Sequence, residues 1–182
     1  MTGISPIIYL IISLLQFIIL LRFICQAMNV NYYNPVTQSI VKLSGYILKP
    51  FEVLSFKLNS FILFLILYLF TLAKFYLPML ATFESFTVTS FMVIAFSYLI
   101  KDLANIFFYL IIISAIKSWF NVFVSHPIFS LIDELCEPLY VFVRSALPPI
   151  SGIDFSPVVI LFALQLIERF FIPQIMNLGY AI

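Results

Sequence analysis

Charge is what this chain has least of: Asp, Glu, Lys and Arg make up 9% of its 182 residues, against about 25% in ordinary soluble domains. A chain so poor in charge and 64% apolar is a membrane protein, which excludes a solvated catalytic domain and a disordered segment together. Glycine is sparse as well, 4 residues against 22 Phe and 10 Tyr, so collagen-like repeats are excluded. Neither sign of charge dominates. Nine Lys and Arg against eight Asp and Glu leave a formal +1, and there is no basic field to attract nucleic acid. The two cysteines, Cys25 and Cys136, form no C-x-x-C and read as small apolar residues. The single histidine, His126, cannot supply paired haem ligands, and no H-E-x-x-H or acidic calcium loop is present, so no cofactor or metal is expected. Nothing near His126 in sequence makes a Ser-His-Asp or Cys-His arrangement, and the chain reads as non-enzymatic.

What is there is a set of long apolar runs. Crossing about 30 Å of hydrocarbon takes roughly 20 apolar residues in a helix. Four runs qualify: Ile4 to Cys25, Asn59 to Leu80, Leu103 to Val124 and Phe155 to Ile172. The first has too uncharged a start and too long an apolar run for a cleaved secretory signal. A further apolar stretch, Phe86 to Ile100, stops at Lys101-Asp102. Joined to the third run it would give a helix of about 39 residues, close to 58 Å at 1.5 Å per residue, too long to cross without bending or lying along the interface.

If Phe86 to Ile100 does not cross, the loops Met28 to Leu58 and Ser125 to Asp154 share one side and both termini the other. The loop side then holds Lys42, Lys49, Lys57 and Arg144, with Arg22 and Lys117 able to reach it; Lys74, Lys101 and Arg169 remain opposite. The excess of Lys and Arg makes the loop side cytoplasmic and the termini external. The residues Lys74, Lys101, Asp102, Glu168 and Arg169 near the other face are expected to pair with one another, the alternative being an ion path through a water-filled cavity.

The two long loops match at a constant offset, Asn34-Pro35 corresponding to His126-Pro127. Val36, Ile40, Leu43 and Ile47 fall on one helical face in the first, and Ile128, Leu131, Ile132, Leu135 and Leu139 in the second. Each loop therefore predicts an amphipathic helix with Pro at its first position, Asn34 being a strong cap and His126 a weaker one. The apolar stripes are expected among lipid headgroups, the alternative being helices buried against the bundle. Lys42 and Lys49 give the first helix a basic polar face suited to anionic lipid, and Asp133, Glu134 and Glu137 give the second an acidic one suited to another partner. Each half reads as span, amphipathic helix, span, with residues 1–82 as a first repeat, 83–102 as a connecting apolar segment and 103–182 as a second repeat.

The second loop carries more than a pattern: Glu137-Pro138, Arg144, Leu147-Pro148, then Gly152-Ile153-Asp154-Phe155-Ser156-Pro157 leading into an apolar run. That series resembles the signature of the YggT family of small bacterial integral membrane proteins, which also occur in plastids and are built from one or two copies of such a repeat. Arg22, Asn34-Pro35, Ser118-Trp119 and Pro127 also stand where the family pattern places them. Departures concentrate in the first half, with Tyr46, Pro50-Phe51-Glu52 and Asn59 in place of family residues, and Val141 and Phe142 depart in the second. The resemblance implies a multi-pass inner-membrane protein associated with osmotic or envelope stress, cell division or assembly of a membrane cytochrome. It implies a scaffold or assembly factor more than a catalyst, with lipid and other membrane proteins, or itself, as partners. A small channel or transporter for ions or osmolytes is the alternative.

The string Gly152 to Pro157 has a physical reading of its own. Pro157 suits the first turn of the last span, and Ser156 can accept a hydrogen bond from a free helix N–H, costly to leave unpaired in lipid. Asp154 is then free to pair with Arg144 and fix the angle between surface helix and span.

Overall fold

The computed structural model describes residues 4–52, 59–82, 87–120, 126–149 and 154–182, and among them every regular element is helical. They are α1 (Ile4–Ala27), α2 (Pro35–Glu52), α3 (Ser60–Thr82), α4 (Val88–Phe120), α5 (Pro127–Ala146) and α6 (Ser156–Leu166), which continues through a π turn (Ile167–Phe171) into α7 (Ile172–Ala181). Among the described residues three helical runs are long and apolar enough to cross a membrane: Pro6–Ala27, Val88–Ser118 and Ser156–Ala181. Helix α3 is apolar over the shorter stretch Ser60–Tyr76.

Two boundaries differ from the sequence reading. The stretch from residue 88 to Ile100 is the first part of α4, a helix of 33 residues, about 50 Å at 1.5 Å per residue. It packs along its length on protein: α3 and α6 contact α4, and α7 lies against it with Gly179 facing Ile94. A Cβ at Gly179 would sit 2.6 Å from Ile94 Cγ1, so the close approach needs glycine. The last helix does not stop at Ile172 either. Pro173 cannot donate to the Arg169 carbonyl and its ring would clash there. The wider π turn over Ile167–Phe171 takes up that conflict, and the helix runs on to Ala181.

The amphipathic helices start where their Xaa-Pro pairs place them, but their apolar stripes face protein. Leu48 of α2 and Leu131 and Leu135 of α5 are buried in one core with Ile19, Leu20 and Ile24 of α1, Leu63 and Leu67 of α3, and Leu99 of α4. Val36, Ile40 and Ile47 pack against the same core. Ile132, Cys136 and Tyr140 of α5 enter a second core with Ile111 of α4 and Ile160 of α6. The headgroup placement of the stripes is thus corrected: facing helices offer the same apolar contact with tighter packing than lipid. What α2 and α5 turn outward is polar, with isolated large side chains at Leu43, Tyr46, Ile128, Val141 and Phe142.

Candidate functional site

The starts of α2 and α5 meet. Asn34 Oδ1 accepts from Val36 N at 2.8 Å, and His126 Nδ1 accepts from Ile128 N at 3.3 Å. Both caps are of the same i to i+2 kind, the histidine's the longer of the two. The remaining half of the Asn34 amide crosses to the other helix, Nδ2 donating to Pro127 O at 2.7 Å. Beside it Glu134 Oε2 accepts from Asn31 N at 2.6 Å. Pro35 and Pro127, Asn34 and His126, ninety-two residues apart in the chain, thereby form one junction.

The acidic residues of α5 also have partners within the protein. Asp133 pairs with Lys117 of α4, Glu134 binds the turn before α2, and Glu137 Oε1 lies 3.5 Å from Arg144 Nη1. Asp133 and Glu137 keep 48% and 56% of their side-chain surface exposed, so these are water-screened surface pairs. The face of α2 stays open: Lys42 and Lys49 are exposed, Lys49 lying 5.6 Å from the Tyr46 ring centre.

Arg144 and Asp154 come together at the far end of α5. Arg144 Nη2 and Nε donate to Asp154 Oδ2 at 2.7 and 3.0 Å, and the guanidinium lies 5.0 Å from the Tyr140 ring centre. Asp154 Oδ1 accepts from Ser156 N at 2.8 Å. The capping role assigned to the Ser156 hydroxyl therefore belongs to Asp154, because Ser156 is already the first residue of α6 and offers its N–H. Burial works against the Asp154 charge, yet hydrogen bonding from Ser156 and the Arg144 guanidinium outweigh it and hold the carboxyl below its ordinary value. Pro157 sits in the first turn of α6 as expected. Pro138 lies inside α5, where it leaves the Glu134 carbonyl without its helical donor. Pro148 follows the end of α5. Trp119 is in the last turn of α4, with its side chain outside the described residues, as Gly152 is altogether. Burial pushes the Cys136 thiol, with Asp133 and Glu137 nearby, up to about 12, consistent with an inert packing residue.

One group of residues was not found from sequence. Gln16 of α1, 2% exposed, donates through Nε2 to Thr71 Oγ1 of α3 at 2.9 Å and to Asp102 Oδ2 of α4 at 3.0 Å. Lys74 Nζ lies 3.4 Å from the same Asp102 oxygen. Gln16 is 11 residues before the end of α1 and Thr71 is 11 after the start of α3, each about 16 Å along its axis. The cluster borders a cavity of about 260 Å³ that Ser13, Asn105 and Tyr109 also line. Of the pairs expected near the termini, Lys74 with Asp102 and Lys101 with Glu168 at 3.9 Å are formed, the first of them half-buried beside Gln16. A lone Gln in an apolar run was its only sequence signal.

A family model described as CCB3/YggT matches residues 93–175, the part that holds α5, its clamp to α6 and most of α4. An uncharacterized protein of Haemophilus influenzae is 31% identical over 160 residues, covering 88% of this chain and 86% of its own length. A protein of Vibrio alginolyticus from the proC 3′ region is 29% identical over 169 residues, 91% of each. The uncharacterized protein YggT of Escherichia coli K12 is 28% identical over 159 residues, 87% of this chain and 83% of its own. No solved structure matches the chain. The family-model match together with likeness over nearly the full length leads to one conclusion: the chain belongs to the CCB3/YggT family.

Proposed function

We propose that the protein is a non-enzymatic scaffold or assembly factor of the inner membrane. It crosses four times, through α1, α3, α4 and the α6–α7 run, in two span–amphipathic helix–span repeats whose connecting segment has become the first part of α4. Helices α2 and α5 form a single platform on the cytoplasmic face, and the termini are external. The observation that carries this reading is the junction of the two helix starts through Asn34 Nδ2 and Pro127 O, which with the Arg144–Asp154 clamp holds both surface helices in fixed register with the bundle. A fixed platform presenting Tyr46 and Phe142, the latter 77% exposed, suits recognition of another membrane protein or a second copy; a net charge of +1 does not suit nucleic acid. Support of the envelope under osmotic stress, or placement of division or respiratory components, is what the family resemblance adds.

Photo-crosslinking in cells tests it. A probe at Phe142 should give a defined adduct to one membrane protein or to a second copy, and that adduct should vanish when Asn34→Ala loosens the junction. A probe at Phe61, exposed on α3, serves as the lipid-facing control; equal, diffuse labelling from both positions contradicts the scaffold. A transport reading draws support from the Gln16–Thr71–Lys74–Asp102 cluster beside its cavity, since ionisable groups inside a membrane commonly mark a path. Under that reading purified protein in liposomes conducts potassium ions or protons, and Asp102→Asn abolishes the flux. Liposomes that remain tight with wild-type protein remove it.

A further inference from the structure

Between the end of α1 and the first turn of α2 lies a second cavity, of about 340 Å³, bordered by Arg22, Asn29, Tyr32 and Thr37. No carboxylate lines it, and Arg22 makes no ion pair or hydrogen bond among the described residues. Glu134 is occupied by Asn31 N and Ser130 Oγ. Thr37 is 3% exposed and its Oγ1 has no partner. A buried hydroxyl is rarely left so, because its lost hydration goes uncompensated. Thr37 is also the third residue of α2. Pro35 has no N–H, Asn34 Oδ1 takes that of Val36, and Gln38 N reaches Asn34 O. The Thr37 N–H is therefore the free donor of that turn, at the positive end of an 18-residue helix.

An unpaired guanidinium, an unpaired buried hydroxyl and a free helix N–H around one cavity are complementary to an oxyanion. Depth selects its source. Arg22 lies five residues before the end of α1, about 8 Å along the axis, near the boundary of hydrocarbon and headgroups. We propose that this cavity binds a phosphate-bearing anion, supplied in the membrane by the headgroup of an anionic phospholipid, with Arg22 and Thr37 as its ligands. The site belongs to one half of the chain. Ninety-two residues on, the position of Arg22 holds Ser114, which lacks the charge, and that of Thr37 holds Phe129, which lacks the hydroxyl.

Full-length protein in neutral detergent, offered phosphatidylglycerol or phosphatidylcholine, tests the site by native mass spectrometry of the retained lipid. Wild type should keep phosphatidylglycerol preferentially. Arg22→Gln should lose it by about tenfold or more, and Thr37→Val by several fold, as charge-assisted and neutral hydrogen bonds differ. Without lipid, Thr37→Val should melt at or above wild type, since valine removes the unpartnered hydroxyl. Lys42→Gln, on the open face of α2, should retain lipid as wild type does. Displacement by millimolar inorganic phosphate shows that the phosphate group alone is recognised; Arg22-dependent retention that phosphate does not displace assigns the site to the whole headgroup. Should Arg22→Gln fail to fold, Arg22→Lys should fold and bind more weakly than wild type. Equal retention by wild type, Thr37→Val and the folded Arg22 variant overturns the proposal.

Discussion

Asp154 does two things at once, and that makes its removal worse than removal of its partner. Its Oδ2 takes both Arg144 donors and its Oδ1 takes Ser156 N. The paired side chains are 38% and 31% exposed, so solvent screening keeps the ion pair near the upper end of the exposed range, about 1 kcal/mol. A helix cap adds roughly 1 kcal/mol, within a range of about 0.5–2. Asp154→Ala should therefore cost about 2 kcal/mol, whereas Arg144→Ala should cost about 1, from the pair and its contact with Tyr140. Asp154→Asn keeps an oxygen for the cap and should fall between wild type and alanine. The exchange of Arg144→Asp with Asp154→Arg should recover only the pairing part, because arginine cannot accept from Ser156 N. Unfolding of the purified protein in mixed micelles, followed by helical circular dichroism against increasing sodium dodecyl sulfate, reads these differences. Arg144→Ala as damaging as Asp154→Ala, or strict additivity in the double mutant, would refute the division of roles.

The depressed Asp154 carboxyl fixes a sign: its stabilisation should be full above the ordinary value of 3.8 and drain away as pH falls through its lower folded value, a melting-temperature dependence that Asp154→Asn should flatten. Cys136, fully buried with its thiol pushed up to about 12, should resist maleimide at neutral pH in detergent and react on unfolding; ready labelling of the folded protein would contradict the packing of α5. Gln16→Leu removes the donor that Thr71 and Asp102 share but leaves Thr71 on Leu67 O and Asp102 on Lys74, and should destabilise by about 1 kcal/mol, while Gln16→Leu combined with Asp102→Leu should differ from the sum of the two. Gly179→Leu should loosen α7 from α4 and raise proteolysis of the C-terminal residues, with Asn177→Leu as the harmless control.

The starts of α2 and α5 were legible because Xaa-Pro with a capping residue before a 3.6-residue apolar stripe is a local signal. The Arg144–Asp154 pair was legible for a similar reason, its members being only ten residues apart in the chain. The direction of the stripes was not, since an apolar face states that it must leave water and not whether lipid or protein covers it. Gln16 was missed because its partners stand 55 and 86 residues away, and nothing in an apolar helix announces a contact at that separation. The last apolar run was bounded at Ile172 by its composition, but a helix in an apolar setting keeps its backbone bonded by widening one turn at Pro173 sooner than it ends.

The single platform is tested most directly by sidedness. In protein with Cys25 and Cys136 replaced, reporter cysteines at Ser39 on α2, Ser130 on α5 and Asn177 on α7, all exposed, are challenged in intact cells with a membrane-impermeant thiol reagent. Ser39→Cys and Ser130→Cys should both resist labelling until the cells are opened, while Asn177→Cys should react at once. Labelling of Ser39→Cys and Ser130→Cys from opposite sides would contradict a platform made of both helices.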